Sequence, residues 1–151
     1  MLEMATVLAV IAVLTIIALP SFESRIVRQQ ISSALPLADI AKAPVALSWA
    51  TSQAFPADNA AAGLPPAEKI VNTYVSAVAV HNGAIDITFG NSATSLIKGQ
   101  LLTLRPAVVT DAPVVPVTWV CGSANVPGGL TAMGENRTNI PVKDLPLSCL
   151  P

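Results

Sequence analysis

Apolar residues fill almost every position at the start of the chain. Nineteen uncharged residues run from Met4 to Phe22, with Glu3 on one side and Glu23 on the other. As an α-helix this run would span about 28 Å, close to the roughly 30 Å hydrocarbon core of a bilayer. The pattern therefore predicts a hydrophobic, membrane-type helix over residues 1–24.

Beyond this segment the apolar positions narrow to a single side of a helix. They recur at spacings of four and three residues, whereas the opposite face carries Arg28, Ser32, Asp39 and Lys42. This periodicity predicts an amphipathic continuation of the same helix over residues 25–50, for a total of about 50 residues. The apolar stripe consists of Val27, Ile31, Ala34, Ala38, Ala41 and Val45.

Three prolines fall within the predicted helix, at Pro20, Pro36 and Pro44. A proline in a regular helix interior lacks an N–H and clashes with the preceding turn, at a cost on the order of 3 kcal/mol. The prolines therefore either kink the helix or break it. Because the stripe runs through the later two without a change of phase, we expect kinks.

The remainder of the chain reads as a loop, a sheet and a second loop. Residues 50–72 are rich in Ala, Pro, Asn and Asp and predict a connecting loop. Within 73–120, Asn82-Gly83 joins two β-rich runs and is typical of a tight hairpin. The run from Ile85 to Phe89 alternates apolar and polar residues, so we expect one buried face and one wet face. "QLLTLRP" and "VPVTWVC" predict two further strands.

Four short strands in sequence order predict an antiparallel meander, whose apolar face needs a cover. The helix stripe is the only segment long enough to supply it. The sequence thus predicts an α+β fold in which a long N-terminal helix packs on a four-stranded antiparallel sheet. Residues 25–151 would form a globular head, which ends in a loop over 121–149.

The chain has two cysteines, Cys121 and Cys149, among 151 residues. Without a CxxC pair, and with His81 distant in sequence, they do not indicate a zinc site. A disulfide in an exported protein is the natural interpretation, and two free buried thiols are the alternative. By chain entropy, closing this ring would stabilise the fold by about 3.6 kcal/mol. We expect a large effect because the loop has little else to order it.

The apolar segment does not have the features of a cleaved signal peptide, since no basic stretch precedes it and no small-residue cleavage site follows. We expect it to be retained. Arg25 and Arg28 after the run would place that end in the cytoplasm by the positive-inside rule. A disulfide-bonded domain cannot lie there. The conflict disappears if a basic leader once preceded Met1 and was removed.

Little in the sequence indicates catalysis or ligand binding. The net charge of −1 does not indicate the excess of Lys and Arg that binds phosphates, so no specific nucleic-acid contact is expected. Nucleophile-elbow, metalloprotease and phosphate-loop motifs are missing, so we predict no enzyme activity, cofactor or metal. We expect His81 to be an exposed loop residue, and the sequon at Asn136 to be a chance match. Trp119 is expected to pack against the disulfide. Arg25 and Arg28 are too few for a lipid-binding cluster and predict a solvated or intersubunit face.

Taken together, these features resemble the major subunits of type IVa pili. "MLEMATVLAVIAVLTIIALP" is similar to the family's N-terminal motif, an acid followed by an apolar helix with a proline near its end. "VTWVCGSA" and "NRTNIPVKDLPLSC" are similar to the edges of its disulfide-bonded region. The resemblance implies a structural subunit that polymerises helically into an extracellular filament. Motility, adhesion and DNA uptake are roles of such fibres, and the sequence does not choose among them.

The resemblance also implies partners and residue roles. The subunit would wait in the inner membrane, be processed by a prepilin peptidase that leaves a methylated N-terminus, and join the fibre through the pilus assembly machinery. In the family, the N-terminal carboxylate neutralises the α-amino group of a neighbouring subunit while apolar side chains pack around the pair. The implied assembly residues are Glu3, Met4, Val7, Leu8, Ile11, Leu14 and Pro20.

One departure concerns the position of the acid. The family's glutamate is normally fifth after leader cleavage and here it is third. Pro20 is displaced by the same amount, so we expect two residues to be missing before Met1; a subunit that differs is the alternative. The other interpretation of Glu3 is a solvated charge outside the headgroups.

Three rival functions remain at this stage. A type II secretion pseudopilin shares the N-terminal helix, but the cysteine loop and the lack of an acidic calcium loop count against it. A minor pilin would differ in its abundance within purified filaments. A monomeric, membrane-anchored, extracytoplasmic binding domain would extract with detergent and would not sediment as a fibre.

Overall fold

The N-terminal third of the protein is helical almost throughout. The computed structural model describes residues 1–17 and 22–151. Helix α1 spans Leu2–Ala34, a 3₁₀ turn follows at Leu35–Ala38, and helix α2 spans Asp39–Ser52. The helix ends where Gln53 adopts a left-handed conformation (φ 53°) and its N–H bonds to the carbonyl of Trp49.

The two later prolines have different surroundings. Pro36 lies inside the 3₁₀ turn, so the α-helical pattern is interrupted at that position. Pro44 lies inside α2, where the helix continues through it although the carbonyl of Ile40 loses its usual N–H partner. Pro20, where we also expected a kink, lies outside the described residues.

The sheet is an antiparallel meander of four strands in sequence order. They are β1 (Val75–His81), β2 (Ala84–Phe89), β3 (Leu101–Val108) and β4 (Thr118–Cys121). The β1–β2 turn has positive φ at Asn82 (49°) and Gly83 (86°), as the Asn-Gly pair requires. A two-residue strand β5 (Thr131–Ala132), which the pattern did not predict, pairs with the end of β3.

The helix covers the sheet through the predicted stripe. All six of its residues, from Val27 to Val45, are fully buried. They pack with large aliphatic and aromatic side chains of the sheet, among them Ile85, Ile87 and Phe89. Burying each such side chain contributes about 1.5–3 kcal/mol. The three alanines of the stripe keep the helix close to the sheet because they add little bulk. The predicted α+β fold is therefore confirmed.

A disulfide joins the C-terminal segment, residues 133–151, to the sheet. Cys121 at the end of β4 and Cys149 are bonded, with their Cα atoms 4.6 Å apart. Both are buried in the core. Two short 3₁₀ turns, Val142–Asp144 and Leu147–Cys149, shape the segment before the second cysteine. The predicted disulfide is confirmed, and the alternative of two free thiols is wrong.

Side-chain amides bind the backbone along the outer edge of β1. The side chain of Asn59 accepts from Val80 N–H (2.6 Å) and donates to the carbonyl of Val78 (3.0 Å). Asn72 Oδ1 accepts from Val75 N–H (2.8 Å). The connecting loop thus satisfies backbone groups that β2 cannot reach.

Side chains also bond to the backbone of β3, along the part of that strand that β4 is too short to pair with. The Leu101 N–H donates to Asn139 Oδ1 (2.6 Å), and the Thr103 N–H donates to Thr138 Oγ1 (3.0 Å). The carbonyl of Thr103 accepts from Gly122 N–H (2.9 Å). The C-terminal segment therefore lies alongside the first half of β3.

Candidate assembly helix and its anchorage to the head

The first half of α1 is exposed in the isolated subunit. Its side chains from residue 1 to 17 are exposed, and the helix is long and apolar enough to cross a membrane. The expected assembly positions Met4, Val7, Leu8, Ile11 and Leu14 are all more than half exposed. The structure places them on the helix surface but does not show what covers them.

The exposed apolar surface extends beyond the expected assembly positions. Val10, Val13, Ile16 and Ile17 are also more than half exposed, so the helix is apolar all the way round. The hydroxyl of Thr15 needs no partner outside the helix, because its Oγ1 donates to the carbonyls of Ile11 and Ala12. Helices of this kind are buried in a bilayer or in a larger assembly.

Glu3 lies in the first turn of α1, where a negative charge is favoured by the helix dipole. Thr6 Oγ1 donates to the backbone carbonyl of Glu3 (2.8 Å), so this hydroxyl does not bond to the carboxylate. Within residues 1–17 and 22–151, no cation lies within ion-pair distance of this carboxylate. Its charge is therefore open to a partner from outside the subunit.

Polar contacts anchor the helix to the head just beyond the apolar half. Ser24 Oγ donates to Asp144 Oδ1 (2.8 Å), and Arg28 donates to the carbonyl of Lys143. Two residues beyond Arg28, Gln30 Oε1 accepts from the amide N–H of Thr94 (3.0 Å). These bonds attach the C-terminal segment and the β2–β3 connection to the helix, so they set its direction relative to the head.

A buried carboxylate holds the C-terminal segment to the outer face of the sheet. Asp86 Oδ1 accepts from Thr103 Oγ1 (2.7 Å), and Asp86 Oδ2 pairs with Arg137 Nη1 (2.9 Å). The N–H of Arg137 donates back to Thr103 Oγ1 (3.0 Å). The three residues form a closed network between β2, β3 and the C-terminal segment.

The expectation that Asp86 lies on a wet face is wrong. Its side chain is only 2% exposed because Arg137 and the chain around it cover that face of the sheet. Gly134 allows the close approach, since a Cβ there would lie 2.8 Å from that of Ala84. The alternation along β2 identified the two faces of the strand correctly. It could not show that a segment about fifty residues later in the chain covers the polar face.

Comparison with known proteins decides the family. The family model for pilins, the bacterial filament subunits, matches residues 27–150. The chain belongs to the pilin family. The chain is 31% identical over 156 residues to the type IV major pilin protein PilE1 of Neisseria gonorrhoeae, which covers 99% of this chain and 84% of that protein.

Two further relatives agree. A fimbrial protein of Neisseria meningitidis serogroup A is 30% identical over 158 residues, covering 99% of this chain and 91% of the relative. The fimbrial protein EcpC of Eikenella corrodens is 32% identical over 126 residues, covering 82% and 80%. Pilins are structural subunits that polymerise into extracellular filaments, and they are not enzymes. In the single subunit of this pilin, the apolar helix is exposed.

The other residues considered as possible sites in this pilin either lie on its surface or contribute to its fold. His81 is exposed at the β1–β2 turn, and Trp119 is half-buried against the core. Among the described residues, no group of three His, Cys, Asp or Glu side chains could hold a metal ion. The amide of the sequon residue Asn136 donates to the carbonyl of Gly122 (2.9 Å), so it is engaged within the fold.

Removing the buried carboxylate should loosen the C-terminal segment of this pilin. In Asp86→Ala the Thr103 hydroxyl loses its acceptor and Arg137 loses its partner, so we expect a loss of about 1–3 kcal/mol of unfolding free energy. Arg137 is 42% exposed and can rehydrate, which favours the lower part of that range. Urea denaturation of the detergent-solubilised protein would measure the change.

The neighbouring half-buried position on the same strand face offers a matched control. Thr88→Ala should change the unfolding free energy by less than about 0.5 kcal/mol, as is usual for substitutions away from buried networks. Equal effects of the two substitutions would show that the network adds nothing to the fold.

Proposed function

We propose that this chain is the major subunit of a type IVa pilus and that its apolar helix exchanges lipid for neighbouring helices during assembly. The observation that carries the proposal is the helix of residues 2–17, which is apolar on every side and exposed in the single subunit. Water is an unfavourable environment for such a surface, and a bilayer or a helix bundle satisfies it equally well.

Before assembly the same helix would hold the subunit in the inner membrane. About 20 apolar residues are needed to span the hydrocarbon core, and the run from Met4 to Phe22 provides nearly that number. The head would then lie on the extracytoplasmic side, where the Cys121–Cys149 disulfide persists. A prepilin peptidase would process the precursor, and the pilus machinery would extract the subunit from the membrane.

In the filament, Glu3 would neutralise the α-amino group of a neighbouring subunit. An ionised carboxylate in a dry helix bundle is expensive unless it is paired. Because one position along the neighbour satisfies it, the pair would set the axial register, while Met4, Val7, Leu8, Ile11, Leu14 and Pro20 would pack around it. Kinks at Pro20, Pro36 and Pro44 would adapt the helix to its neighbours.

The assembled fibre would serve surface attachment and twitching motility, with DNA uptake as a further role. The subunit carries no feature that selects one of them. It has a net charge of −1, so a fibre made from it does not present a strongly basic surface to nucleic acid.

Electron microscopy of sheared cell-surface material, with mass spectrometry of the fibres, tests the proposal. We expect this chain to be the dominant protein of the filaments. A trace amount would identify a minor pilin instead. Protein that extracts with detergent as a monomer and never sediments with fibres would identify an anchored binding domain.

A further inference from the structure

The head presents a mixed basic and apolar surface where it meets the apolar half of α1. Its apolar members are strongly exposed, with Leu147 at 83%, Phe22 at 63% and Val142 at 50%. An open groove of about 750 Å³ separates the helix from the C-terminal segment. The groove is lined by Ser24, Arg25, Arg28, Pro146, Leu147 and Ser148. We call Phe22, Arg25, Arg28, Val142, Lys143 and Leu147 the basal surface.

The basal surface lies at the level where the helix leaves its apolar run. Arg25 is three residues beyond Phe22, which corresponds to about 4.5 Å along a helix. The Ser24–Asp144 bond and the bond from Arg28 to the carbonyl of Lys143 hold the C-terminal segment at this same level. The headgroup layer of one leaflet is roughly 5–7 Å thick. In a membrane-anchored subunit, the basal surface would therefore lie within that layer.

The charges of the basal surface favour an anionic environment. Arg25, Arg28 and Lys143 are exposed cations. Asp144 is 8% exposed and accepts from Ser24, so Glu23 is the acid nearest in sequence that faces solvent. Cations beside exposed aliphatic and aromatic side chains are typical of surfaces that lie in a membrane interface.

In sequence, Arg25 and Arg28 alone do not form a lipid-binding cluster, but the fold adds further residues to them. Two cations are too few to hold a protein to a lipid surface. The C-terminal segment brings a third cation, Lys143, and two exposed apolar side chains, Val142 and Leu147, to the same level. Lys143 is 115 positions from Arg28 in sequence, so only the fold assembles this combination.

We propose that the basal surface docks on anionic lipid headgroups while the subunit is anchored in the membrane. The cations would bind the phosphates, and Leu147 and Val142 would enter the boundary of the acyl chains. This inference rests on the proposed membrane anchorage of the unassembled subunit. The docked head would be held close to the bilayer, and assembly would have to release it.

Nuclear magnetic resonance of the full chain in lipid nanodiscs would test the docking. A paramagnetic label on the lipid headgroup broadens nearby backbone amide signals. In discs containing phosphatidylglycerol we expect strong broadening at Lys143, Leu147 and Ser148. The β1–β2 turn at Asn82, which bonds to Ala57 beyond the far end of the helix, should remain sharp. In discs of phosphatidylcholine alone, the broadening at the basal surface should be clearly weaker, because only the apolar contacts remain.

Charge variants measure the contribution of the cations. Arg25→Gln and Lys143→Gln should each lower the ratio of docked to undocked heads by about fivefold, and the double variant by about thirtyfold. Arg28 is left unchanged because it bonds to the C-terminal backbone. Lys69→Gln removes an exposed lysine from the connecting loop and should have no effect. Leu147→Ser should weaken docking in both lipid compositions.

Two results would overturn the inference. One is broadening that is the same in both lipids or unchanged in the double charge variant. The other is undiminished docking together with loss of filaments in these variants, which would make the basal surface a contact between subunits. Failure of the anchorage itself would look different, because the signals of residues 4–17 would then show no contact with the bilayer.

Discussion

Cells that express only the Glu3→Val pilin should carry no long surface filaments, although the protein remains folded and in the membrane. The head does not depend on Glu3, because the stripe, the sheet and the disulfide all lie elsewhere. Membrane insertion should be intact or improved, since a charge leaves the apolar segment. In assembly, however, a neighbour's α-amino group would enter the filament core unpaired, and breaking one side of a buried ion pair generally costs about 3–5 kcal/mol.

Because a polymer meets that cost at every subunit, even the lower figure should abolish long fibres. Piliation is scored by electron microscopy, and pilin in the membrane fraction by immunoblot. Glu23→Gln, which changes the acid at the other end of the apolar run, should leave filaments normal. Co-expression with the wild type should be partly tolerated, since each mutant still offers its amine to a wild-type Glu3. Normal piliation by Glu3→Val alone would show that Glu3 is not the intersubunit partner.

Loss of the disulfide should be the most damaging change to the head itself. The ring between Cys121 and Cys149 contains 29 residues, for a sequence separation of 28. Chain entropy assigns about 3.6 kcal/mol to its closure. In Cys121→Ala/Cys149→Ala we expect a loss of unfolding free energy near that value, with amides of residues 136–149 losing exchange protection before those of the core. Alanine is the appropriate replacement because both positions are buried and serine would add an unpaired hydroxyl.

Denaturant unfolding and hydrogen exchange of the detergent-solubilised protein would measure this effect. Reducing and alkylating the wild type supplies a second route to the open ring and should produce the same local loss. The expectation that the loop has little else to order it is wrong. Asp86, Leu101 and Thr103 bind the segment from the sheet, and Ser24 binds it from the helix. An undiminished urea midpoint in the alanine variant would mean that these bonds suffice.

The sequence was informative where the cause of a structure is local. The stripe from Val27 to Val45 follows from helical periodicity, and the hairpin at Asn82-Gly83 follows from the need for positive φ. Both were predicted correctly. At Pro36 we expected a kink in a continuous helix, and the structure instead has a 3₁₀ turn, because the packing around a proline decides how the helix accommodates it.

The contacts of the C-terminal segment could not be derived in the same way. Asp86 and Arg137 are 51 residues apart, and neither belongs to a motif that would pair them. The same holds for Ser24 and Asp144, which are separated by 120 residues. Loop conformations of this kind are fixed by a few hydrogen bonds and one covalent link, which leave no periodic signature. The candidate assembly helix, by contrast, was evident because its apolar character is continuous.

Side-chain hydrogen bonds along the sheet also bear on one unwanted route of association between subunits. A β-sheet with free outer backbone groups invites a strand from another molecule, and crowding makes this route to aggregation more severe. Here Asn59 and Asn72 bond to backbone groups on the outer side of β1, and Thr138 and Asn139 accept from backbone N–H groups of β3. Along these stretches, fewer backbone groups are free to accept a strand from a neighbouring head. If the helix sets the register as we propose, ordered association would rest on the helix rather than on the edges of the sheet.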